Sequence, residues 1–106
     1  MEKHVPLIST RTIGPLGVVH LPRLWLKMRL VAKGMLNEEY RAGEGGFDGV
    51  LLDSLGIEAG AAIAFVKASQ PSYLAFEDWV KENATPGSLA SEAIEALNER
   101  ILTFPK

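Results

Sequence analysis

The sequence predicts an all-α fold, with an irregular N-terminal arm over residues 1–20 and a compact bundle of about five helices over residues 21–106. Two observations carry this. After residue 20 the apolar residues recur at spacings of three and four, the period of a helix with one buried face. The ends of those stripes coincide with capping residues, prolines and glycines that start and stop helices. At 106 residues, 47% apolar and 23% charged, the chain has the profile of one globular domain.

The arm is punctuated by Pro6, Gly14, Pro15 and Gly17, and its β-branched residues at 5, 8, 13, 18 and 19 favour extended backbone. Extended geometry is expected at His20 too, two residues before Pro22. Pro22 suits the first turn of a helix, where its missing N–H leaves no bond unmade. A helix from about Leu21 to Gly34 follows, with Leu21, Leu24, Trp25, Met28, Val31, Ala32 and Met35 on one face and Trp25 in the core. Residues 37–46 form a polar, glycine-rich connector. Phe47 to Leu55 is a short helix with Phe47, Val50, Leu51 and Leu55 inward. Gly56 followed by Ile57 reads as a left-handed helix stop with an apolar contact after it.

A third helix starts at Glu58 or Ala59 and runs to about Ser69, ended by Pro71. Ser72 caps a fourth from Tyr73 to about Asn83, in which Leu74, Phe76, Trp79 and Val80 cover one broad side. Thr85 then caps the last helix, with Pro86 at its first position and Leu89, Ala93, Ile94, Leu97 and Ile101 as its stripe.

Several functions are excluded by composition. There is no cysteine, so disulfides, thiolate metal sites and thiol catalysis are out. The two histidines have no metal-ligand spacing, and no cofactor or metal is expected. No apolar run approaches the roughly 20 residues that span a bilayer, and no signal peptide is evident, which predicts a cytoplasmic protein without a membrane partner. Residues 1–34 carry six basic groups against one acidic, a net of +5, and residues 35–106 five against twelve, a net of −7. Such asymmetry marks either an anionic partner or a basic helix packed beside acidic ones. The pI of about 5.6 and the lack of aromatics between the basic residues argue against nucleic acid.

The segment from Gly17 to Leu36, with its Gly-Val-Val-His-Leu-Pro-Arg opening and basic helix, the Leu55-Gly56-Ile57-Glu58-Ala59 step and the Trp79-Val80 pair resemble a family of small bacterial proteins catalogued as a domain of unknown function. The resemblance covers roughly residues 10–84. It implies a fold and no established activity. Where members continue with a tyrosine-rich polar segment, this chain has Glu39-Tyr40-Arg41-Ala42-Gly43 and keeps one tyrosine.

His20, Arg23, Lys27 and Tyr40 form the candidate ligand-binding group. Arg23 and Lys27 lie four apart on one side of the helix, and a helix N-terminus with a neighbouring arginine suits a small anionic ligand. The alternative is that His20 and Arg23 bind loop carbonyls or acidic groups of the chain and lock the corner. An enzyme using His20 as acid/base is a further reading, with Tyr40, Glu44 or Asp48 near it only if the glycine loop folds back. The stretch from Gly43 to Gly49 lacks the features of a phosphate loop.

Leu26 and Leu30 lie four apart on the side away from the main stripe, between Arg23, Lys27, Arg29 and Lys33. A helix apolar on two sides is either sandwiched or paired with another chain. These leucines are the candidate interface of a homodimer, their partner surface the acidic face carrying Glu92, Glu95 and Glu99. The functional expectation is a self-association or protein-interaction module.

Overall fold

The computed structural model describes residues 8–35 and 46–103, and five α-helices lie among them: α1 (Leu21–Ala32), α2 (Gly46–Leu55), α3 (Ala59–Ser69), α4 (Tyr73–Asn83) and α5 (Ser91–Leu102). No strand occurs among the described residues. The all-α expectation holds. The connector at 36–45, and with it Tyr40 and Glu44, lies outside the described residues.

Leu21, Leu24 and Met28 recur along one face of α1 and are fully buried. That face packs against α3 and α4, while α2 packs against α5. One apolar core results, joining these three to Leu51, Leu52 and Leu55 of α2, Ala62 and Val66 of α3, Phe76 and Val80 of α4, and Leu97 and Ile101 of α5. Each of these side chains except that of Ala62 contributes about 1.5–3 kcal/mol on leaving water. Between α3 and α4 the rings of Phe65 and Trp79 stack at 5.1 Å. The radius of gyration, 13.0 Å, is that of a compact chain of this length.

Two helix ends obey the glycine rule in detail. After α1, Gly34 takes φ 68, its N–H donates to the Val31 carbonyl, and the Met35 N–H reaches back to Leu30. After α2, Gly56 takes φ 69, its N–H donates to Asp53, and the Ile57 N–H donates to Leu52. Both pairs satisfy carbonyls that the last turn leaves open. Ser72 caps α4 by accepting from the Ala75 N–H at 3.2 Å.

Other expectations need correction. Thr85 and Pro86 do not start the last helix. Gly87 at φ 89 interrupts it, residues 86–89 form a turn, and α5 begins at Ser91. The Thr85 N–H instead donates to the Leu55 carbonyl at 2.8 Å, tying the turn to the end of α2. Leu74 is 59% exposed and Val31 38% exposed, so neither belongs to its helix's buried face. Trp25 sits half-buried at the rim of the core rather than inside it. Its indole N–H donates to the Pro71 carbonyl at 3.1 Å, a bond that holds a polar atom at the rim.

The residues before α1 pack closely on the helices. Val18 and Val19 are buried in the core. Asn98 of α5 accepts from the Val19 N–H at 2.9 Å and donates to the Gly17 carbonyl at 2.8 Å. Among the described residues no helix is long and apolar enough to cross a membrane; α2 and α3 together approach that length but meet at 96°.

Candidate functional site

The corner where the chain enters α1 is built on an unusual backbone. His20 is the N-cap residue, yet it takes φ 71 and ψ −21, the left-handed region, instead of the extended geometry usual at an N-cap. A non-glycine residue held there costs about 1–3 kcal/mol and persists only where its surroundings over-determine it. Here they do. The His20 N–H donates to the Thr10 carbonyl at 2.7 Å, and the His20 carbonyl accepts from the Leu24 N–H at 2.8 Å.

The ring is held from three sides. Nδ1 meets the Thr10 hydroxyl at 3.1 Å, Nε2 meets Asp48 Oδ1 at 2.5 Å, and Phe47 presents an edge contact at 5.6 Å between centroids. Asp48 lies in the first turn of α2, where a negative side chain suits the positive helix end. Its other oxygen, Oδ2, accepts from Lys27 Nζ at 2.8 Å. His20 and Asp48 are each 2% exposed. Thr10, His20, Asp48 and Lys27 thus form one continuous polar line from the segment before α1, across to α2 and back to α1. An ionised Asp48 accepts only, which places a proton on Nε2, and in the tautomer protonated there alone Nδ1 accepts from the Thr10 hydroxyl.

Of the four residues singled out for ligand binding, the structure brings His20 and Lys27 onto one carboxylate. Arg23 turns beside them and donates to the Ile8 carbonyl at 2.9 Å. Tyr40 lies outside the described residues. An anion arriving at this corner competes with Asp48 for Lys27 and with a backbone oxygen for Arg23. Arg29 is likewise engaged: it donates to the Pro71 carbonyl at 2.9 Å and lies 5.6 Å over the Trp25 ring. Much of the basic charge of α1 is therefore directed onto acceptors of its own chain.

A second buried acid sits on α4. Glu77, 3% exposed, accepts from the Leu16 N–H at 3.1 Å and from the Tyr73 hydroxyl at 2.8 Å through the same oxygen. Gly14 fits against both, for a Cβ there would stand 2.3 Å from the Tyr73 ring and 2.7 Å from that oxygen. Burial pushes the Tyr73 phenol well above its ordinary range, and the bond to Glu77 and its charge push it the same way.

Thr10, Glu77, Tyr73 and Asn98 are not among the residues the sequence singles out. The acids do leave a signal. Asp48, Leu51, Leu52 and Leu55 stand at spacings 0, 3, 4 and 7, and so do Tyr73, Phe76, Glu77 and Val80. A carboxylate in phase with an apolar stripe points at the core. Thr10 and Asn98 carry no such mark, being common surface residue types placed by tertiary contacts. Among the described residues no three metal-ligating side chains converge.

Leu26 and Leu30 are each partly buried on α1. Glu92, Glu95 and Glu99 are exposed on α5. No curated protein and no solved structure matches the chain. A family model does, over residues 5–105, a span that takes in α5 as well as the corner and the earlier helices. The chain belongs to the family described as a domain of unknown function, DUF5069.

Proposed function

We propose that this chain is a self-association module of the bacterial cytoplasm, a homodimer whose contact runs over the outer side of α1. One observation carries the reading. Leu26 and Leu30, on the side of α1 away from Leu24 and Met28, keep part of their surface open, while the flanking cations Arg23, Lys27 and Arg29 are drawn sideways onto acceptors of their own chain. The helix then offers a small apolar strip rimmed by positive charge. Surfaces of that kind mark contacts.

The exposed acidic face of α5, with Glu92, Glu95 and Glu99, complements the rim in sign. A two-fold arrangement lets the α1 strip of one copy meet the α5 face of the other, and the converse, in one closed dimer. Charge complementarity of this sort sets register and encounter rate more than affinity. Sedimentation of the wild type and of Leu26→Glu/Leu30→Glu tests it. The wild type is expected to sediment as a dimer at micromolar concentration and the double variant as a folded monomer. A monomeric wild type at high micromolar concentration, or a dimer indifferent to both substitutions, overturns the reading.

A further inference from the structure

The line Thr10–His20–Asp48 has the parts of an activated nucleophile, independent of how the chain associates. A hydroxyl meets one ring nitrogen of a histidine at 3.1 Å, and the other ring nitrogen meets a carboxylate at 2.5 Å. We propose that the Thr10 hydroxyl is a nucleophile for acyl transfer from small activated esters, with His20 as its base and Asp48 as the group that positions the ring.

Four features support this. The ring's tautomer, set by Asp48, leaves Nδ1 able to take the Thr10 proton, and either imidazole nitrogen serves as base when its counterpart donates to a carboxylate. Lys27 fixes the far oxygen of Asp48 at 2.8 Å and so fixes the carboxylate's rotation. His20 and Asp48 are buried whereas Thr10 is half-buried, so the nucleophilic end of the line is the end open to a reactant. Finally, the left-handed backbone of His20 is strain held in place by main-chain bonds to Thr10 and Leu24, the kind of strain that collects where geometry serves chemistry.

The reaction needs no oxidant, reductant or metal. Thr10 Oγ1 attacks the ester carbonyl carbon as its proton passes to His20 Nδ1. The tetrahedral adduct collapses, the C–O bond to the leaving group breaks, and the leaving oxygen takes the proton from Nδ1. Thr10 is left as an ester. Water, giving a proton to Nδ1, then attacks the acyl carbon and releases the acid, and Thr10 recovers its proton.

The full-length chain treated with p-nitrophenyl acetate gives the test, read by intact mass, by peptide mapping and by p-nitrophenolate release. The exposed hydroxyls of Ser9 and Thr12 flank Thr10 and serve as controls within the same molecule. The expected result is a single added acetyl group on Thr10, formed at least about a hundredfold faster than on either neighbour, in line with what a positioned base supplies. Thr10→Val, which keeps the side chain's shape, is expected to lose the label and the fast phenolate release while retaining the wild-type circular dichroism spectrum. If Thr10→Val does not fold, Thr10→Ser replaces it and is expected to retain the label. Wild-type protein with neither a label at Thr10 nor phenolate release faster than that of Thr10→Val, labelling spread evenly over Ser9, Thr10 and Thr12, or wild-type release from folded Thr10→Val each overturns the proposal.

Discussion

At the scale of single residues, the most consequential pair outside the His20 corner is Tyr73 with Glu77. Their bond at 2.8 Å joins a half-buried phenol to a buried carboxylate, and the Leu16 N–H shares the accepting oxygen. The folded chain holds the phenol proton more tightly than the unfolded chain, whose tyrosine ionises near 10.0. Stability from this group is therefore complete below that value. Above it the unfolded chain ionises first, and unfolding is favoured as pH climbs. Thermal melts between about pH 8 and 11 are expected to show a fall in the wild type that is shallower in Tyr73→Phe. At neutral pH the same substitution costs about 1 kcal/mol for the lost bond. Equal alkaline slopes in the two proteins would mean that Tyr73 does not carry the effect. The placement of these acids was half legible in sequence. Asp48 and Glu77 stand in phase with apolar stripes, which argues burial, but phase alone does not say which partner each meets.

At the scale of elements, helix ends were more legible than helix faces. Gly34, Gly56 and Ser72 perform the roles their residue types suggest, because those roles depend on local backbone geometry. Thr85-Pro86 has the chemistry of a helix start but is followed by Gly87, whose positive φ opens a turn and delays α5 to Ser91. Leu74 and Val31 match the helical period, yet nothing in the period tells how far the neighbouring element extends to cover them. Gly56 also shows why one terminator is irreplaceable. Besides its φ of 69, a Cβ at this position would stand 1.8 Å from Thr85 Oγ1. Gly56→Ala is expected to cost at least about 1–3 kcal/mol from the backbone alone, visible as a lowered melting temperature. Gly56→Ala/Thr85→Ala is expected to recover part of that loss by relieving the clash. A single variant that melts with the wild type would contradict both the left-handed turn and the close approach.

At the scale of the whole molecule, a few polar side chains connect parts far apart in sequence. Asn98 supplies both a donor and an acceptor to the backbone at Gly17 and Val19, standing in for the strand neighbour that this segment lacks. Asn98→Ala leaves both groups without that partner and is expected to lower stability by about 1–3 kcal/mol. Denaturant titration is expected to show a lower midpoint at unchanged slope. Asn98→Asp does not rescue it, since an acceptor replaces the donor facing the Gly17 carbonyl. An unchanged midpoint in Asn98→Ala would show that the segment is held by Val18 and Val19 alone. Family membership and the helical class were accessible from motifs and periodicity, whereas this long-range stitching was not, because no local pattern marks which asparagine will reach across the fold.

The same stitch orders events during protein synthesis. Gly17 and Val19 are made long before Asn98, and the Asn98 contacts span 79 and 81 positions of the chain. The Gly17 carbonyl and the Val19 N–H must wait for this partner until α5 has been made. Loop closure over such spans is slow relative to helix formation. Closing this stitch is thus a late step, and a ribosome stalled before residue 98 presents a Gly17–Val19 backbone that still lacks it.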